Sequence, residues 1–506
     1  MKVLNGKISG GYEFKQFKGQ SCPELAVLNL PEHLFVPLSK VESGVIPLVR
    51  RGDSVKAGQI IWQDDESISS PVHSSVAGKV ESVKKIDSPA GQISVIKITS
   101  TASDKIERVP GFTSEWKKLT KKELEKVIYL SGTGTLGSGG IPTEFRTSVI
   151  GPQNVEHIIV HATDAEIYNA DISLFLENDG AKKFTEGLSI LSRIMNKAAV
   201  HVAMSTNTKT WFQVINNAVS DNLSITYHKT KPKYPQSQDS ILLKSVLGID
   251  LPAGYKGANK GVVILGIQDV CQVYEAVVEG KPLIERVVSL SGPIFTENIH
   301  ISLKIGTLLS DIVKGRLSLE ENEDIRFIKN SVLSGDTISL ESPIEKDTEV
   351  LIALEERRGQ DLMFFAKPGF KKDSFSNTFL AKILPFKKDI NTNLNGEQRA
   401  CLSCGFCQNV CPVGILPNIL FPYVERDRLD ETAVQYGIFK CIDCNLCTYV
   451  CTAKIPIAAY LKEGKKKLIE DAYVKEDDFI TSYNLIGVKA GRPGNLGEEH
   501  TNEAAE

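Results

Sequence analysis

Over the first hundred residues the apolar positions come in short runs, residues 26–30 and 44–49 among them, broken by glycine, proline and aspartate. Runs of that length between turn residues predict short strands, and no helical period is sustained there. Residues 117–129 change the pattern. Leu119, Leu124 and Ile128 fall on one face of a predicted helix, which runs straight into a glycine-rich segment. Beyond it, strand-like runs at 157–160 and 199–202 alternate with a helical stretch at 181–194, as in an α/β sheet. A further unit pairs the strand-like run 286–290 with a turn at Ser291-Gly292-Pro293 and another at Ile305-Gly306-Thr307, the pattern of a small α+β module. The pattern divides the chain into units at 1–110, 111–255, 256–355, 356–394 and 395–475. A polar tail at 488–506 has too few large apolar residues to fold.

Within the first unit, Arg51-Gly52-Asp53-Ser54-Val55-Lys56-Ala57-Gly58-Gln59 is followed by Ser70-Pro71-Val72-His73 and Ala77-Gly78-Lys79-Val80. These turns predict a lipoyl-like β half-barrel. Carrier domains of that shape display a modified lysine at a hairpin tip, but residues 69–73 contain none, so the reading is structural. A chain of 506 residues is long enough for several such cores. Its formal charge of −3 sets up no global field toward nucleic acid or anionic lipid. No run of about 18 apolar residues occurs, so the expectation is a soluble or peripheral protein without a spanning helix.

Chemistry enters with the cysteines. Eight of the ten lie between Cys401 and Cys451, as Cys401-x2-Cys404-x2-Cys407-x3-Cys411-Pro412 and Cys441-x2-Cys444-x2-Cys447-x3-Cys451-Thr452. Clustered cysteines in a long chain without a secretion signal read as metal ligands in a reducing cytosol. Three thiolates at successive two-residue gaps can wrap three corners of an iron-sulfur cube. In two-cluster ferredoxins the fourth reaches the other cube. The expected sets are therefore Cys401, Cys404, Cys407 and Cys451 on one [4Fe-4S] cluster, and Cys441, Cys444, Cys447 and Cys411 on the other. Zinc is the alternative metal, but its sites usually pair a CxxC with a distant CxxC or histidine. Here the histidines nearest in sequence are His300 and His500.

With these residues in view the chain resembles the C subunit of the Rnf ion-translocating complex. The likeness covers the half-barrel hairpin, Gly280-Lys281-Pro282-Leu283-Ile284-Glu285-Arg286-Val287-Val288, both quartets, and above all Cys447-Thr448-Tyr449-Val450-Cys451-Thr452-Ala453-Lys454-Ile455-Pro456. Lys367-Pro368-Gly369 and residues 373–380 and 394–400 are similar to the A subunit of the Na+-translocating NADH:quinone reductase, a family without the cysteines. Both families resemble the flavin-bearing subunit of respiratory complex I. The resemblance implies four parts: the half-barrel, an α/β flavin-type domain, a small β-grasp-like module and a helical dicluster ferredoxin domain.

It also implies FMN and NADH at a loop of the form G-x-x-G-x-G-G-A-G-F-P-T-x-x-K. Gly132, Gly137, Gly140, Pro142 and Thr143 match that loop, and Arg146 stands where the family has lysine. Thr135, Ser138 and Ile141 depart from it. Clustered glycines after a helix let backbone N–H groups approach a phosphate. Asp164 and Glu166 echo the family's next acidic segment and would face flavin or nicotinamide ribose. By the same resemblance the chain serves an NADH:ferredoxin or NADH:quinone oxidoreductase. It would sit on the cytoplasmic side of the inner membrane, with integral membrane subunits and ferredoxin or quinone as partners and no nucleic acid. The alternative is a docking or relay subunit that binds neither FMN nor NADH. Residues 357–388, rich in lysine, arginine and phenylalanine, are expected either to dock on membrane subunits or to form a connector.

Overall fold

The computed structural model describes residues 2–356 except 15–24, 39–46, 65–67, 90, 102–104, 164, 206–208, 220–222, 252–254 and 319–323. It also describes 383, 390 and 398–473 except 472. Asp164, nearly all of the connector at 356–394 and the tail at 488–506 lie outside the described residues.

The half-barrel is a four-stranded antiparallel sheet in the order His33–Pro37, Gly91–Ser100, Gly78–Ser88, Ser54–Val55, with Ile60–Trp62 and Val72–His73 paired beside it. Alternation along the strands sends Leu34, Val36, Val80, Ile96 and Ile98 inward onto Ile61 and Trp62. Each such side chain contributes roughly 1.5–3 kcal/mol on burial. Gly78 permits the tight pairing, because a Cβ there would stand 2.1 Å from the carbonyl oxygen of Thr99.

Five parallel strands make the α/β sheet, in the order Lys2–Asn5, Ile225–Thr230, Ala199–Ser205, His157–Ala162, Val262–Gly266. Ile158, Val160, Val200 and Val202 pack on the helices of one face, among them Gly180–Ile194 through Phe184, Leu188 and Leu191. On the opposite face Ile159, Ala203 and Ile264 meet Leu242 and Leu243 of the helix Asp239–Leu247. That face also carries a diagonal ladder of imidazoles. His157 Nδ1 lies 3.1 Å from His201 Nε2, and His201 Nδ1 lies 3.1 Å from His228 Nε2. The helix expected over 117–129 begins later, at Lys121–Leu130. Thr120 caps it by accepting from the Glu123 N–H, and the Glu123 carboxylate accepts from the Thr120 N–H. Leu119 falls in the extended residue before this cap, yet still packs on the core.

The third module is a six-stranded mixed sheet, ordered Asp336–Ile338, Ile325–Lys329, Val350–Glu355, Glu285–Ser291, Ile299–Lys304, Leu25–Val27. Two strands from the first 110 residues thus join other sheets. Lys2–Asn5 forms an edge of the α/β sheet and Leu25–Val27 an edge of the third. Strands so short take their partner from the sheet edge on offer rather than from their own pattern. The last unit is helical: Phe406–Val410, Pro417–Glu425, Glu431–Gln435, Leu446–Val450 and Ile457–Glu470. Its apolar core runs on through Phe14, Tyr234, Ile328 and Leu333, so it is packed against the other units. Among the described residues no helix is long and apolar enough to cross a membrane.

Candidate electron-transfer site

The two quartets fold as copies of one backbone. Ser403 and Gly405 take left-handed conformations in the first, and Asp443 and Asn445 in the second. Each third cysteine sits near the start of a five-residue helix, Phe406–Val410 or Leu446–Val450, and each fourth follows that helix in extended conformation. Gly414 and Lys454 repeat the left-handed turn three residues later. Thr452 in place of proline therefore leaves the turn unchanged. The two short helices pack on each other, which brings each fourth cysteine to the opposite loop.

Electrostatics divide the thiols in the same way. Burial, then Cys451 and Cys404, push Cys407 up to about 11, and Cys451 is raised by burial and by Cys404 and Cys401. Cys444 is pushed up to about 12 by burial, with Cys441 and Cys411 as the thiols beside it. The structure thus gathers Cys401, Cys404, Cys407 and Cys451 in one set, and Cys411, Cys441 and Cys444 in another that Cys447 completes. Backbone N–H groups point at sulfur: Ser403 to Cys401 at 3.4 Å and Ile455 to Cys451 at 3.5 Å. A four-iron cube asks for thiolates spread over its corners, and eight sulfurs divided four and four fit two cubes.

The glycine loop lies elsewhere, and its glycines also let it pack closely on neighbouring chain. Gly132, Gly137 and Gly140 all have positive φ, at 84°, 75° and 74°. A Cβ on each would strike the protein's own backbone, at Pro71, Ile264 and Thr147 respectively. These glycines close the loop onto neighbouring chain, and the departures tie it down further. Ile141 is fully buried in the core, Ser138 hydrogen-bonds Asp239, and the Thr135 hydroxyl meets Ser70 and the ammonium of Lys346. Thr143 bonds Thr147 at 2.7 Å and accepts from the Phe145 N–H, so its hydroxyl is used within the loop. Arg146 is half-buried with φ 56°, and its carbonyl accepts from the Ser69 N–H.

The loop borders an open cleft of about 520 Å³. Its position follows from topology. From His157–Ala162 the chain steps to Ala199–Ser205 and then Ile225–Thr230 on one side, and later returns to the other side with Val262–Gly266. The crevice beyond the carboxyl ends of the two diverging strands is where open α/β sheets bind ligands. His161, Ala162 and Gly266 line the cleft there. Glu166 stands in its wall, accepting from Ser237 at 2.7 Å and Ser331 at 2.8 Å, and burial raises its pKa. Asp239 and Glu349 are likewise raised by burial. Lys346 is lowered to about 8 by burial. Arg286, almost fully buried, donates to Asp269 and Gln272 at 2.7 Å each. Carboxyls and hydroxyls suited to a polyol, beside the amines of Lys256 and Lys346 suited to phosphate, fit a flavin mononucleotide. Sequence reasoning points to Glu166 and the loop but misses Lys346, Glu349 and Asp269, whose positions carry no motif.

Family comparisons agree with this layout. Residues 6–102 match the RnfC barrel sandwich hybrid domain, 129–275 the Nuo51 FMN-binding domain and 397–455 the 4Fe-4S dicluster domain. The C subunit of the proton-translocating ferredoxin:NAD(+) oxidoreductase complex of Clostridium ljungdahlii is 25% identical over 90% of this chain and 94% of its own length. Along most of its length the chain is similar to the RnfC family, the C subunits of ion-translocating oxidoreductase complexes. Another RnfC-type protein, the C subunit of the ion-translocating oxidoreductase complex of Buchnera aphidicola, is 24% identical over 87% of this chain and 85% of its own. A solved NAD+-reducing [NiFe]-hydrogenase reaches a TM-score of 0.42 at 10% identity, covering 73% of this chain and 66% of that one, too distant to carry an argument. Like the RnfC proteins it resembles, the chain joins a region matching a flavin-binding domain to one matching a dicluster domain.

Proposed function

We propose that this chain relays electrons between a nicotinamide-linked flavin site in the switch-point cleft and a redox partner, through two [4Fe-4S] clusters. The observation that carries the reading is the duplicated cysteine backbone packed against the α/β and third modules. Cys401, Cys404, Cys407 and Cys451 would hold one cluster, and Cys441, Cys444, Cys447 and Cys411 the other. Bound FMN would exchange two electrons with NADH and pass them on singly. Around it Glu166 and its serines would hold the polyol, while Lys346 and Arg146 would balance phosphate charge. The loop's N–H groups would orient it. Membrane-embedded subunits of the same complex and ferredoxin are the proposed partners, on the cytoplasmic face.

A second reading keeps the clusters and drops the flavin. The side chains at Thr135, Ser138 and Ile141, which bind the loop to protein, favour it. Iron, labile sulfide and FMN assayed on one anaerobic preparation separate the two. All three together with NADH-driven bleaching support the first, and clusters without FMN support the second. Absence of labile sulfide overturns both.

A further inference from the structure

The two quartets repeat each other in backbone but not in surroundings. Cys401 and Cys404 are exposed, and Leu402 between them is 71% exposed. Cys444 and Cys447 are buried, with Cys411 and Cys441 half-buried. What covers the second set is specific. Gly10 lies against the carbonyl of Cys411, and the Gly11 N–H donates to Val410 at 2.9 Å. Phe14 and Tyr449 meet with ring centroids 5.1 Å apart.

From the α/β domain, Tyr234 donates its hydroxyl to the carbonyl of Cys444 at 2.9 Å, fully buried. Ser331 and Ser334 stand beside the same ring hydroxyl. Ser334 donates to Ser331 at 3.1 Å, and Ser331 donates to Glu166 at 2.8 Å in the cleft wall. A run of hydrogen-bonded groups therefore leads from the cleft to a ligand of the second set. Nothing comparable leads to the first set among the described residues.

Resting on the relay reading above, we propose that the two clusters form an ordered pair. The cluster on Cys441, Cys444, Cys447 and Cys411 is the inner one, coupled to the cleft through Tyr234. The cluster on Cys401, Cys404, Cys407 and Cys451 is the outer one, which exchanges electrons with an external one-electron protein carrier. Each passage moves one electron, oxidising one cluster as the other is reduced. It forms and breaks no bond and carries no proton. Tyr234 acts as a positioning residue: its hydroxyl dipole, aimed at a ligand's carbonyl, stabilises added negative charge on the inner cluster, and its bond shortens the path from the cleft.

The test uses the full chain, prepared anaerobically with both clusters and reduced stepwise, with EPR as the readout. A soluble dysprosium chelate is expected to speed the relaxation of one cluster signal and spare the other. Tyr234→Phe is expected to shift the midpoint potential of the spared cluster downward and leave the probed one in place. Equal relaxation of both signals in the wild-type protein would overturn the ordering without any variant. A shift confined to the probed cluster, or no shift, would overturn the role of Tyr234. A chain without labile sulfide would overturn the relay itself, whereas two equally exposed clusters would leave the relay standing and remove only the order.

Discussion

A Cβ on Gly10 would stand 2.5 Å from the carbonyl oxygen of Cys411. Gly10 also has φ 59°, a left-handed conformation that costs an ordinary residue about 1–2 kcal/mol. Gly10→Ala should suffer both the strain and the clash. Gly52→Ala, at φ 96° with open space around its missing Cβ, should suffer only the first. The expected outcome is a lower melting temperature and faster iron loss for Gly10→Ala than for Gly52→Ala. Equal behaviour would show that the amino-terminal segment does not hold the second quartet.

Crossed ligation makes a sharp prediction for paired variants. Under the proposed ligation, in which each fourth cysteine serves the opposite loop, Cys401→Ala should remove one cluster and Cys411→Ala the other. The double variant should lose nearly all its iron, although both changes fall within the first quartet. Were each quartet self-contained, the double variant would keep about half. Iron and sulfide analysis of the two single variants and the double one decides.

Arg286 and Asp269 form a buried pair at 2.7 Å, with Glu349 at 3.5 Å from the same guanidinium. Removing one partner strands the other charge away from water, at a cost of about 3–5 kcal/mol. Arg286→Met should therefore destabilise the chain strongly. Arg286→Met with Asp269→Asn should cost less than the sum of the single changes, since Asp269 is then no longer left as a charge without its guanidinium. Urea denaturation of the set gives the coupling, and strict additivity would refute it.

Acid sensitivity should trace in part to buried histidines. His73 and His201 are both lowered to about 4, chiefly by burial, and for His201 also by His228, His157 and Lys2. Unfolded histidine titrates near 6.5, so between about pH 6.5 and 4 the unfolded chain takes up protons that the folded chain refuses. Stability from these groups is unaffected above pH 7 and lost as pH falls through that window, by roughly 3 kcal/mol for the fully buried His73. Buried carboxyls act in the opposite sense, Glu125 being raised to about 7 by burial. The contrast with His73→Gln isolates the histidine. That variant should lose less stability between pH 7.5 and 5 than the wild-type chain, and identical losses would remove the claim.

The cysteine spacing is the most legible feature of the sequence, because ligation by a rigid cube writes a covalent period into the chain. The alternation of strands and the helix Gly180–Ile194 are legible for the usual reason, that burial on one face imposes a repeat. The glycine loop is legible in position but not in purpose. Its composition records that side chains are excluded, not whether a cofactor or the protein's own backbone fills the space. Lys346 and Glu349 are hidden because a cleft wall built by a distant module has no local signature. Lys2–Asn5 and Leu25–Val27 are hidden too, since a few residues with mixed polarity say nothing of which sheet they will edge.

Those two short strands carry a consequence for how the polypeptide acquires its shape. Lys2–Asn5, Leu25–Val27 and Gly10 find their neighbours at Ile225–Thr230, Ile299–Lys304 and Cys411, hundreds of positions downstream. The first strand can pair once residues 225–230 are made and the second once 299–304 are made, but Gly10 has no Cys411 to cover until four-fifths of these 506 residues are complete. Final closure, in which the leading segment seals sheet edges and cluster cover together, is then a late and slow event that needs nearly the whole polypeptide.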